Sequence, residues 1–274
     1  MQYTPFLFPY LGGVPFPDQV ASAVWDTSVP YSRITYNGHA NTGVWPARVS
    51  TLIVGGNAPC WRSATDGVTA DSPLAVLGAP NFDSAAVPSN LLKTPEDTSP
   101  PTGNVATLIG LFGGLNNPAT VDGMIFYAID ITSIQSAGTG NPYDGDCIFM
   151  EHNNRGQLTL LKTPNRVRYC WFDDSAGVFK TTTANLPSGT GRLNVMVQRK
   201  GGDVSLSIDG TTFTAPVATG SVNGSAVVRA GINVNDAAGK LNAMILCNAW
   251  YNNFAPSNAA AAKKWFDWAN ATYP

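Results

Sequence analysis

The run Arg192-Leu193-Asn194-Val195-Met196-Val197-Gln198-Arg199 alternates apolar and polar residues, halts at Lys200-Gly201-Gly202-Asp203, and resumes as Val204-Ser205-Leu206-Ser207-Ile208. Period-two alternation suits a strand with one buried face, and adjacent glycines accept the positive φ of a two-residue turn, so this stretch must fold as a tight hairpin. The hairpin puts Val195, Val197, Leu206 and Ile208 on one buried face. Similar punctuation surrounds it. Residues 124–131, 147–150, 157–161, 167–172, 227–234 and 241–251 read as further strands, and Asp209-Gly210 reads as a turn into a strand over 211–214. With no helical period between them, these strands predict an all-β antiparallel sandwich. One helix is legible over 257–271, SNAAAAKKWFDWANA. Pro256 stops its upstream extension, Ser257 or Asn258 can cap it, and four alanines favour it. Its Trp265, Phe266, Trp268 and Ala269 form an apolar face that docks on the sandwich, and the tryptophans are read as packing rather than sugar stacking.

Composition narrows the functional classes. Charged residues are 12% of the 274, against about a quarter in average proteins, and Glu96 and Glu151 are the two glutamates. A net charge of -2 without a basic cluster argues against nucleic acid as a partner. No apolar run reaches the 18 residues of a spanning helix, so no membrane partner is expected. The N-terminus lacks the basic start of a secretory signal. Cys60, Cys147, Cys170 and Cys247 are scattered without a C-x-x-C pair, and read as reduced, buried thiols. One Cys147–Cys170 disulfide across a hairpin is the alternative.

The first thirty residues carry prolines at 5, 9, 15 and 17 beside Phe6, Phe8, Tyr10 and Phe16. Such a segment prefers extended geometry and reads as an N-terminal arm over 1–30, whose aromatics contact another subunit or clamp onto their own domain. Prolines at 80, 88, 95, 100 and 101 mark a long excursion over 78–104. Residues 31–77 look too loop-rich to form a core alone, so residues 31–274 are read as one sandwich domain.

Residues 186–268 resemble the concanavalin A-like jelly-roll superfamily in its laminin-G-like and pentraxin-like branch. The likeness lies in the order of the hairpin, its Asp209-Gly210 ending, the run Val228-Arg229-Ala230-Gly231-Ile232, the closing strand from Gly239 through Asn252, and a helix after it. The resemblance implies a jelly-roll β-sandwich. Asn stands where the branch expects an acidic residue late in the closing strand, and residues 1–105 align with no part of the family. The Glu-poor, Ala/Thr/Asn/Gly-rich composition with an aromatic arm also looks similar to bacteriophage virion proteins, such as capsid decoration (cement) or tail-associated proteins.

Candidate chemistry is sparse. Glycoside hydrolysis needs two carboxylates about 5–9 Å apart, and the catalytic branch carries three on one strand where this chain has Asp130 alone. Glu151 beside His152 is the best acid/base pair, Glu96 lies in the proline-rich stretch, and His39 is the other histidine. Oxygen-rich turns offer weak calcium candidates at Asp144, Asp146, Asn235 and Asp236, which turn preference also explains. No cofactor is expected beyond such a Ca2+. These observations predict a noncatalytic virion structural protein, assembled in the host cytoplasm as an oligomer with copies of itself or other virion proteins. The alternative is a carbohydrate-binding, lectin-like module reading surface glycans, and the third reading is a polysaccharide hydrolase or lyase.

Overall fold

The computed structural model describes residues 16–17, 23–36, 39–50, 60–63, 72–86, 92–93, 122–138, 141, 144–151, 156–222, 228–231, 239–252 and 259–274. In chain order the strands are β1 (Ala23–Asp26), β2 (Ser32–Tyr36), β3 (His39–Pro46), β4 (Val49–Ser50), β5 (Cys60–Ser63), β6 (Leu74–Val76), β7 (Ala79–Asn81), β8 (Leu92–Lys93), β9 (Gly123–Ser133) and β10 (Asp146–Glu151). They continue as β11 (Gln157–Lys162), β12 (Asn165–Asp173), β13 (Val178–Asn185), β14 (Gly191–Lys200), β15 (Asp203–Ser207), β16 (Val217–Ala218), β17 (Val228–Ala230) and β18 (Asn242–Asn252), followed by helix α1 (Ala259–Thr272). One sheet runs β16-β15-β14-β9-β18-β1-β4, with β7 also on β18 and β6 on β7; the other runs β13-β12-β11-β10-β17-β8-β5-β3-β2. The pairings are antiparallel, as the alternating pattern requires.

The main core lies between the sheets. Leu193, Val195 and Val197 enter it from β14, with Val204 and Leu206 from β15, Ile125, Tyr127 and Ile129 from β9, and Val167, Tyr169 and Trp171 from β12. Tyr127 stacks on Phe149 at 5.6 Å, and Trp250 meets Phe149 edge-on at 5.1 Å. Each such side chain contributes about 1.5–3 kcal/mol by leaving water. The hairpin forms as expected: Val197 opposes Leu206, and Ile208 packs partly buried beside them.

A second core lies on the outer face of the first sheet, under α1. Trp265, Phe266, Trp268 and Ala269 pack there against Phe126, Met196 and Ala249. The Phe126 ring lies 5.2 Å from Trp265 and 5.4 Å from Phe266. The helix begins at Ala259 within the expected span; residues 257 and 258 lie outside the described ones.

The structure corrects two local readings and removes one alternative, the disulfide, in favour of the buried thiols expected. The stretch 211–214 is not a strand: Thr214 bends back so that its N–H donates to the Leu206 carbonyl (2.8 Å), while its hydroxyl accepts from the Leu206 N–H (3.0 Å). Cys147 and Cys170 are unbridged thiols. Strand β11 runs between their strands, which separates them by about two spacings of 4.8 Å, beyond disulfide reach. Third, the loop-rich N-terminal part supplies strands to both sheets, with Trp25, Tyr31, Trp45 and Trp61 fully buried in the main core. Within 78–104, residues 79–81 and 92–93 are strands, while 87–91 and 94–104 lie outside the described residues. Among the described residues no helix is long and apolar enough to cross a membrane.

Candidate functional site

Where the start of β14 meets the last turns of α1, the polypeptide leaves a cleft of about 420 Å3. Its walls are Arg192 and Asn194 on β14, Ile208 and Asp209 just after β15, Phe266 and Asn270 on α1, and Pro187 and Leu193. Alternation puts Arg192 and Asn194 on the helix side of the sheet, since the intervening Leu193 belongs to the inter-sheet core. On α1, Phe266 and Asn270 are four residues apart and share a face. Gly210 makes the close approach possible: a Cβ there would lie 2.5 Å from the Phe266 ring.

Polar groups in the cleft are held in place. The Asn194 amide Nδ2 donates to Asn270 Oδ1 at 2.7 Å, which fixes the amide plane. Asn194 is 6% exposed, and its Oδ1 carries no hydrogen bond among the described residues. A buried acceptor left without a donor costs about 1–3 kcal/mol. Arg192 donates to the Tyr273 carbonyl at 2.5 Å, and its guanidinium lies 5.6 Å from the Tyr273 ring centre. Asp130 opposes Arg192 across the β9–β14 ladder. Burial pulls the Arg192 pKa down, against the attraction of Asp130 and Tyr273.

Asp209 forms the outer lip. Its Oδ1 accepts from the N–H groups of Thr211 (2.8 Å) and Thr212 (2.7 Å) and from the Ser207 hydroxyl (3.1 Å). Burial opposes ionisation, yet these donors win and hold the carboxyl down at about 2. The cleft thus offers the Asp209 carboxylate at its lip, the Arg192 guanidinium with N–H groups beyond the one spent on Tyr273, and an apolar wall of Pro187 and Phe266.

The residues singled out from sequence scatter elsewhere. Phe16 packs on its own domain, 5.3 Å from Trp265 and 5.1 Å from Trp268, with the Arg48 guanidinium 4.7 Å above its ring. Phe6, Phe8 and Tyr10 lie outside the described residues, as do Glu96, His152, Asn235 and Asp236. Glu151 ends β10 and His39 begins β3. Asp146 spends both oxygens on the chain's own backbone, accepting from Gln135 N (2.6 Å) and Ser136 N (3.0 Å). The Asp144 carboxylate accepts from Asn141 N at 3.3 Å, and its carbonyl accepts from Arg168. Among the described residues no three His, Cys, Asp or Glu side chains gather as metal ligands do. Burial, with Asp146 adding to it, pushes the Cys147 thiol well up, and burial pushes Cys170 up to about 12; neither is a poised nucleophile.

Sequence reasoning singled out none of the cleft's polar residues. Arg192, Asn194 and Asp209 stood inside the legible hairpin, but only the return of a helix 76 residues after Asn194 makes a site of them.

No family model matches the chain, and no curated protein matches it. Solved structures do. A Trypanosoma rangeli sialidase in complex with 2,3-difluorosialic acid superposes with a TM-score of 0.52 at 11% identity, over 92% of this chain and 33% of the sialidase. The HCR/D-Sa-GBL1/C structure gives 0.53 at 8% identity, over 88% and 52%. The binding domain of botulinum neurotoxin serotype G gives 0.47 at 10% identity, over 90% and 51%. The chain therefore spans about half or less of the proteins it superposes on, and the likeness is one of β-sandwich fold.

Proposed function

We propose that this chain is a noncatalytic carbohydrate-binding module whose ligand sits in the cleft between β14, Asp209 and α1. The observation that carries the reading is one cleft that sets the Asp209 carboxylate at its lip and the Arg192 guanidinium beside an apolar wall of Phe266 and Pro187. Sugars suit such a lining because their hydroxyls donate while their C–H faces need apolar cover. The sialidase of which a third superposes on this fold was solved with 2,3-difluorosialic acid as a covalent intermediate. The lectin-like reading displaces the virion reading as the main one, because the latter leaned on composition and an arm whose Phe16 faces its own helix. Catalysis lacks a paired acid and base among the described side chains of the cleft, where Asp209 stays ionised and the remaining titratable group is arginine.

The test is a glycan array probed with the whole chain, its Asn194→Ala variant, and an assay for released reducing ends. Retention on one glycan class, at least tenfold weaker for Asn194→Ala and without reducing-end release, is the expected result. A silent array overturns the reading, and release of reducing ends overturns its noncatalytic part.

A further inference from the structure

We infer that the β6–β7 turn is a lipid-contacting tip, which seats Leu77 and Leu74 in the interfacial layer of a bilayer and needs no charge on the lipid. This function is independent of the cleft. Leu77 stands at the first turn position with φ 50° and is 85% exposed, and Leu74, at the start of β6, is 56% exposed. The fold therefore holds a bulky apolar side chain in the left-handed region and gives it no cover. Glycine or asparagine would make the same turn with less strain, so a leucine kept there and left in water points to a use outside the fold. The segment from Ser72 through Phe82 carries no charged residue, and neither does Thr27 through Ser32, which packs beside it. By contrast, Lys162 flanks the β11–β12 turn, Asp173 and Asp174 the β12–β13 turn, and Lys200 and Asp203 the β14–β15 turn.

The tip is presented rigidly. Tyr31 pins the hairpin at both ends: its N–H donates to the Gly78 carbonyl at 2.8 Å, and its hydroxyl donates to the Pro73 carbonyl at 2.9 Å. The Gly78 carbonyl is thus already hydrogen-bonded when the tip leaves water, which removes one of the costs that keep backbone out of lipid. The choice of lipid over a second copy follows from area and charge. Leu77 and Leu74 together expose on the order of 150 Å2 of apolar surface, against about 800 Å2 per partner in a stable protein interface. A bilayer asks for no matching surface, and a convex, uncharged turn can enter it side chain by side chain, giving weak and reversible attachment. The chain's net charge is -2 and no cation stands in the tip, so anionic lipid adds nothing to the attraction. A spanning helix is one way to meet lipid; a short apolar turn is another.

The experiment is co-flotation of the whole chain with vesicles at millimolar lipid, one set of phosphatidylcholine alone and one of equal parts phosphatidylcholine and phosphatidylserine. Parent, Leu77→Asn and Leu74→Ser are compared. The expected result is association of the parent with both vesicles, equal within about twofold, and at least about tenfold weaker in Leu77→Asn, the factor that withholding one leucine from the apolar layer sets. Leu74→Ser, which removes the less exposed leucine, should weaken association by a smaller factor. Because Leu77→Asn relieves strain, its melting temperature should not fall, so its lost association is not a loss of folding. Association with the phosphatidylserine vesicles alone overturns the inference, since charge and not the tip would then be the cause. Vesicle association that Leu77→Asn leaves unchanged overturns it as well. So does a chain that stays off both vesicles, and sedimentation of such a chain as a dimer that Leu77→Asn dissolves would give the tip to a second copy instead.

Discussion

Two hairpins in this molecule close with the same two-residue turn and owe it to different causes. In β14–β15, Lys200 opposes Asp203 around Gly201 (φ 60°) and Gly202 (φ 88°). In β6–β7, Val76 opposes Ala79 around Leu77 (φ 50°) and Gly78 (φ 79°). The first hairpin is specified locally: its strands alternate, its inward residues fill the main core, and its turn residues accept positive φ freely. The second has three-residue strands, with Leu74 and Leu77 exposed and a leucine in the left-handed region, which costs about 1–2 kcal/mol. Its neighbours hold it in place. Tyr31 N–H donates to the Gly78 carbonyl at 2.8 Å, Asn81 pairs with Met244, and Phe82 N–H donates to the Ala243 carbonyl at 2.9 Å. Tertiary structure can thus impose a turn that the local sequence resists.

The largest expected effect attacks the locally specified hairpin through its core. Leu206→Ala should lower stability by about 2–5 kcal/mol, through lost burial and a cavity between the sheets, read from the denaturant midpoint. A loss below 1 kcal/mol would show that the hairpin stands without its core face.

A third turn sharpens the comparison by adding a charge. Asp173, at the end of β12, is buried and pairs with Lys180 at 2.8 Å, while its Oδ1 accepts from Ser175 Oγ (2.6 Å), Ser175 N (3.0 Å) and Ser221 N (3.1 Å). The bonds from Lys180 and Ser175 hold its carboxyl well below the usual carboxylate range. A depressed folded pKa contributes stability above the unfolded pKa of about 3.9, and that stability fades as pH falls below it. Asp173→Asn should therefore cost about 2–4 kcal/mol at pH 7 and progressively less as the pH drops below about 4. Parallel denaturant midpoints of parent and variant from pH 7 to pH 3 would contradict this.

The smallest effects form a reciprocal pair at the first turn position. Gly201 has open space around its Cβ site, so Gly201→Leu meets backbone strain alone and should cost about 1–2 kcal/mol. Leu77→Asn should instead stabilise by about 0.5–1 kcal/mol, because asparagine tolerates the left-handed region. Thermal melts of the two variants shifting in the same direction would mean that the turns are not equivalent.

The same contrast explains what could be read from the sequence. Strands β9, β14, β15 and β18 and helix α1 declare themselves because periodicity and caps lie within a dozen residues. Strand β13, with Thr181, Thr182 and Thr183, lacks an apolar alternation, and it is found through its register with β12. The N-terminal strands are short enough that only pairing partners define them; β5, CWRS, offers no period at all, yet buries Trp61 5.9 Å from Trp25. Of the cleft, the hairpin half was visible as ordinary strand residues. Its other half arrives on a helix whose sequence announces only a docking face.

Phe16 sits between Trp265 and Trp268, one turn from the Phe266 and Asn270 that wall the cleft. Helix α1 is thereby held from two sides, by the sheet face beneath it and by an aromatic ring from far upstream in the chain, so the helical wall of the cleft leans on a contact that its own sequence does not announce.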